Sequence, residues 1–190
     1  GSAPTLMAVP AWVGALIGGF ILFLVTSSIF KKELLTRKQT LRLMGGQALF
    51  GIIIALFSGF TVATLGLIAG VNMPSYFLVG SFVSFAAFCF FLLVSGVTAW
   101  IGKPAITLFM VVMLLGMGVL MTPKEMLPDF FVNFIRPWVP IRFASEGLRD
   151  IFYFGSGFYT GQSFNTILGI GIAGLVMYVL SIFKPVRAQK

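Results

Sequence analysis

LPDFFVNFIRPWVPIRFASEGLRDIFYFGSG, residues 127–157, is the only long segment of this chain that is neither a hydrophobic run nor a short connection. Leu127, Phe130, Phe131, Phe134, Ile135 and Trp138 recur at the spacing of one helical face. Asp129, Asn133 and Arg136 take the other face. Pro137 and Pro140 then interrupt the helix, because each lacks an N–H and disfavours helix in the residue before it. A second helical run follows, with Arg142, Ser145, Glu146, Arg149 and Tyr153 along one side. Glu146 stands at i, i+3 from Arg149 and at i, i+4 from Arg142, and the pair expected to fix the hairpin is Glu146 with Arg149. Two short amphipathic helices around a proline corner, set between hydrophobic spans, predict a hairpin lying at a membrane interface over residues 126–157.

The rest of the chain supports a membrane setting. Hydrophobic residues make up 58% and charged residues only 9%, against about a quarter charged in soluble domains. The mean hydropathy is +1.04. At roughly 20 residues per span, 190 residues hold about five spans and one longer connection. The predicted fold is therefore all-α and polytopic, with spans near 7–30, 44–71, 76–101, 105–121 and 164–183 and a tail at 184–190. Gly1-Ser2 reads as a cloning remnant.

Small residues mark helix seams. Gly14 and Gly18 form a GxxxG pair, Gly51, Ala55 and Gly59 a stripe, and Gly66 and Gly70 a second GxxxG. Such spacing lets two helix backbones approach. Asn72-Met73-Pro74-Ser75 predicts a tight turn between spans. Phe82, Phe85, Phe88, Phe90 and Phe91 face lipid or neighbouring helices.

Charge placement predicts orientation. Lys31, Lys32, Arg37, Lys38, Arg42, Lys103, Lys184, Arg187 and Lys190 fall on one side of a five-span chain, against Glu33 alone. Lys124, Arg136, Arg142 and Arg149 fall on the other, balanced by Glu125, Asp129, Glu146 and Asp150. The positive-inside rule makes the first side cytoplasmic, so the N-terminus of this chain and the hairpin lie outside and the tail inside. The formal net charge of +8 is thus a topology signal, not a sign of nucleic-acid binding. The segment around Lys31, Lys32, Leu34, Leu35, Arg37, Lys38 and Arg42 is either a charge cluster that meets anionic lipid or a short interface helix that contacts a cytoplasmic partner.

The chemistry on offer is sparse. The span interiors carry no ionisable residue, which argues against a self-powered ion-coupled pump. There is no histidine, no Walker loop and no metal or hydrolase signature. No catalytic, cofactor-binding or metal-ligating residue is expected, and no enzymatic activity. The buried hydroxyls, such as Ser58, Thr64, Ser84, Ser95 and Thr98, are expected to bond back to their own helices.

The ordered pattern of spans, a basic connection after the first of them and an outer hairpin before the last resembles the final five helices of the type-2 ABC exporter permeases. Within that superfamily the chain is similar to the membrane domain of the YhgE/Pip (phage infection protein) family. The stretches that carry the resemblance are AVPAWVGALIGG at residues 8–19 and MLPDFFVNFIRPWVPIRFASEGLRDIFYFG at residues 126–155. In the second, the family's features fall on Leu127-Pro128, the aromatic run from Phe130 to Phe134, Pro137 and Pro140, and Gly147-Leu148-Arg149. Where the family often carries a Ser-Gly-Gly-type run before the Leu-Pro pair, this chain has Gly116 and Gly118 followed by Met121-Thr122-Pro123. That departure leaves open an EsaA-type component of type VII secretion. The resemblance implies a bacterial cytoplasmic membrane protein with one further N-terminal span and a large extracellular domain that enters near Leu6, residues 1–6 being the junction to it. It implies export or secretion driven by a separate ATPase, or else a membrane anchor and dimerisation scaffold. The expected partners are the lipid bilayer, a second copy in a homodimer, and an ATPase or secretion-machinery subunits.

Overall fold

The computed structural model describes Ile17, Ile21, residues 37–102 and residues 104–183. The predicted first span at 7–30 is therefore not described as a span: Gly14 and Gly18 lie outside the described residues, as do Lys31, Lys32, Leu34, Leu35, Lys103 and the tail. The described chain is helical, with α1 at Arg37–Ile68, α2 at Tyr76–Ile101, α3 at Pro104–Met121, α4 at Pro140–Phe154 and α5 at Gln162–Leu180. Among the described residues four stretches are long and apolar enough to cross a membrane: Leu41–Ile68, Tyr76–Ile101, Pro104–Met121 and Gln162–Leu180. At about 1.5 Å per residue, the apolar part of α1 exceeds the roughly 30 Å hydrocarbon core, so it tilts or protrudes.

Local chemistry sets the helix ends. Ser75 caps α2 by accepting the Leu78 N–H at 3.4 Å. Gly102, at φ 82°, closes α2 with its N–H on the Thr98 carbonyl, and Pro104 opens α3 directly after. At the end of α1 the Val71 N–H returns to the Gly66 carbonyl at 3.0 Å and the Gly70 N–H to Leu67 at 3.0 Å. This is a Schellman closure, with Gly70 in the left-handed region at φ 75°. A Cβ on Gly70 would meet nothing within 4 Å, so the Gly66–Gly70 pair ends a helix and Gly70 packs against nothing. The span predicted to reach residue 71 stops at Ile68 for that reason.

α2 is the central helix. Within its most apolar window 67% of residues are buried, against 28% or less in the other three spans. Phe82 and Phe90 are fully enclosed and Phe91 nearly so. Against one side runs α1, antiparallel: Gly51 faces the Phe91 ring, and Gly59 faces the Gly80 carbonyl and the Ser84 backbone N–H. Gly80 in turn receives the Phe60 ring. Along another side runs α5, parallel to α2: Gly171 lies over Cys89, and Gly174 over the Leu92–Leu93 peptide and Gly96. The core is thus held by close backbone approach at small residues, the mode expected where lipid removes the hydrophobic drive between helices.

Candidate functional site: the docked hairpin and the basic end

The segment between α3 and α5 folds as two limbs. The first holds a 3-10 turn at Lys124–Met126, a π turn at Phe131–Ile135 and a second 3-10 turn at Arg136–Trp138. The sequence predicts a regular helix here, and the π turn is a correction to it. Pro137 has no N–H, and in an α-helix its ring would strike the carbonyl four residues back. Widening the preceding turn, with the Arg136 N–H on the Phe131 carbonyl, removes that conflict. Phe130 and Phe134 stack with ring centroids 5.6 Å apart and stay exposed, while Leu127, Phe131 and Ile135 are half-buried. Pro128 accepts both the Phe131 and the Val132 N–H groups and so starts this limb.

The second limb is α4, opened by Pro140 in its first turn and closed by Gly155 at φ 64°. Its inner face is Pro140, Ile141, Ala144, Ser145, Gly147, Leu148 and Ile151, all buried. Arg142, Glu146, Arg149 and Tyr153 lie on the outer face as predicted, but Ser145 turns inward and is 1% exposed. A small hydroxyl fits against the core where a charge would not. Gly147, in the middle of the Gly-Leu-Arg triplet, leaves the space that the Phe82 ring of α2 fills. Beside it, Phe85 stacks on Phe164 of α5 at 4.9 Å, and Phe158 closes on both at 5.6 and 5.7 Å. On the α3 side, Gly116 admits Val139 and Ile141. Hence α4 covers one end of the bundle, over the start of α2, the end of α3 and the start of α5.

Glu146 pairs with Arg142, whose Nε donates to Oε1 at 2.6 Å. The i, i+4 spacing brings the two groups together. Arg142 also reaches the Arg136 carbonyl at 3.5 Å and so ties the two limbs. Both side chains are partly exposed, so a double-mutant cycle between Arg142→Ala and Glu146→Ala is expected to give a coupling of about 0.5 kcal/mol. Chemical denaturation of the four variants in detergent checks it. The Asp150 carboxyl is raised above its ordinary range, by burial first and by the Glu146 charge second. A raised folded-state value means that the carboxylate opposes folding at neutral pH and that this cost fades as pH falls through the raised value. Asp150→Asn is therefore expected to raise the unfolding midpoint at pH 7 and to match the parent near about pH 4.

At the opposite end of the bundle, Arg37, Lys38 and Arg42 form the first turns of α1, with Lys38 and Arg42 exposed. Among the span hydroxyls, Thr64 and Ser84 bond back to Phe60 and Gly80 as expected, at 2.8 and 2.7 Å. The hydroxyls of Ser95, Thr98 and Tyr178, towards the basic ends of α2 and α5, are buried with no hydrogen-bond partner. Among the described residues no cluster of three His, Cys, Asp or Glu side chains could hold a metal ion. The residues that the sequence reading missed are Arg142 as the tie between limbs, and Phe82, Phe158 and Phe164 as the floor of the hairpin. Arg142 was legible as the i, i+4 partner of Glu146; the aromatic floor joins residues too far apart in sequence to signal one another.

Among the described residues, four apolar helices, three of them packed around α2 and the bundle capped at one end by an amphipathic helix, fit a multi-pass α-helical membrane protein. No family model, no curated protein and no solved structure matches the chain.

Proposed function

We propose that this chain is the membrane domain of a YhgE/Pip-like, ABC-permease-like protein of the bacterial envelope, taking part in export or secretion without an ATPase of its own. The observation that carries this reading is the division of the bundle into two unlike ends. One end is closed by the docked hairpin, with Phe82 seated at Gly147, and the other carries the basic first turns of α1. An exporter permease needs that polarity: an energy-supplying partner engages one end, and the substrate leaves past the other. The span interiors hold no Asp, Glu, His, Lys or Arg, so on this reading the energy comes from outside the chain. On this reading the hairpin is external, the basic end is cytoplasmic, and two copies form the working unit.

A membrane anchor and dimerisation scaffold is the second reading. It is favoured by the close backbone contacts at Gly59, Gly96 and Gly174, which make a stiff unit with no charged path through it. Affinity purification of the full-length protein from its native membrane separates the two. A stoichiometric ATPase that is lost on mutating Leu34, Leu35 and Arg37 supports the exporter. Secretion-machinery subunits, or a dimer alone with no ATPase, overturn it in favour of the scaffold.

A further inference from the structure

We propose that the basic end of the bundle, centred on Lys38 and Arg42 of α1, binds the phosphate groups of anionic lipids. The inference needs only that the helices span a bilayer. Lys38 and Arg42 stand at i, i+4 on α1 and are both exposed, so two like charges share one face and repel. The chain offers little to neutralise them. Its sequence has no Asp or Glu from residue 34 to residue 124, and every described carboxylate belongs to the hairpin end. Among the described residues no carboxylate lies at this end, which leaves the two cations open to lipid phosphate.

Depth selects lipid as its source. The apolar stretch of α1 begins at Leu41, which is itself 57% exposed, directly beside Arg42 and one turn from Lys38. That turn is about 4.5 Å along the helix axis. Both cations therefore sit within the headgroup layer, where their stems lie along the apolar boundary and their charged heads reach phosphate. An acidic protein surface would have to enter that layer, whereas lipid phosphates already occupy it. Each Lys or Arg near an anionic bilayer surface contributes roughly a fivefold gain in binding.

The test is native mass spectrometry of the purified full chain in detergent with equal amounts of phosphatidylglycerol and phosphatidylcholine. The parent is expected to retain phosphatidylglycerol preferentially. Lys38→Gln/Arg42→Gln is expected to lose that preference by roughly 25-fold, at fivefold per charge, and Lys38→Arg to keep it. Circular dichroism and the unfolding midpoint in phosphatidylcholine alone confirm that the double variant is folded. Equal retention of the two lipids by the parent, or an unchanged preference in the folded double variant, overturns the proposal. Capture of poly-glutamate by the parent without any phosphatidylglycerol preference overturns it too, and assigns this end to an acidic protein face. Because no ATPase is present, failure here is distinct from failure of the ATPase reading.

Discussion

Gly174→Ala is expected to destabilise the bundle by about 3 kcal/mol, the upper end of the usual overpacking range. The methyl would meet the Leu92 carbonyl carbon and the Leu93 nitrogen, each at 2.5 Å, and the Leu92 oxygen at 2.6 Å. These are backbone atoms in the middle of the central helix, so no rotamer change relieves the clash. One helix must move, and Gly96, which faces the Gly174 carbonyl, moves with it. Replacing glycine in a helix otherwise stabilises by about 0.4–1 kcal/mol through the unfolded chain, which offsets only part of this. Gly169→Ala in the same helix is the control. A Cβ there meets nothing within 4 Å, so that variant is expected to be neutral or slightly stabilised. Unfolding of both proteins by SDS titration from mild detergent measures the difference. Equal stability of the two variants would show that α2 and α5 do not approach at Gly174.

The contrast between these two glycines shows what was legible in the chain and what was not. The four long apolar helices could be read, because hydropathy marks where each lies, and Ser75, Gly102 and Pro104 set the ends of α2 and the start of α3. Which face of each span meets protein could not be read, because lipid and protein interior are equally apolar. α2 is the most enclosed helix, yet its mean hydropathy of 2.5 stands close to the 2.2 and 2.3 of α1 and α3. The Gly51, Ala55 and Gly59 stripe lies against α2, but the equally regular Gly66–Gly70 pair closes a helix. The i, i+4 spacing of a packing motif is also the spacing between the third-last helical residue and the left-handed glycine of a Schellman closure.

In the hairpin, patterning gave the amphipathic faces of α4 except at Ser145, where side-chain polarity predicts the surface and size allows burial. The π turn was not legible from the apolar spacing, since a five-residue turn preserves most of the contacts of a regular one. Its cause, Pro137, was visible. The basic segment stays as the sequence reading left it for Lys31, Lys32, Leu34 and Leu35, which lie outside the described residues.

Phe82→Ala is the second large effect, expected at about 3–5 kcal/mol from lost burial and the cavity left behind. Phe82 is 0% exposed, and its ring joins α2 to both parts of the hairpin end, filling the space at Gly147 and meeting Phe158 at 6.3 Å. The loss should therefore be local to that end. Hydrogen exchange of α4 amides is expected to accelerate while the α1–α2 contact at Gly59 stays protected. Gly147→Ala approaches the same contact from the other side, pushing a methyl into the end of the Phe82 ring, and is expected to cost about 1–3 kcal/mol alone. In the double variant the methyl enters the cavity that Phe82→Ala opens. The two losses should then fall short of their sum by at least about 0.5 kcal/mol, the coupling expected of residues in direct contact. Additive losses would mean that α4 does not dock on α2 through Gly147, and would remove the hairpin's closure of this end from the export reading.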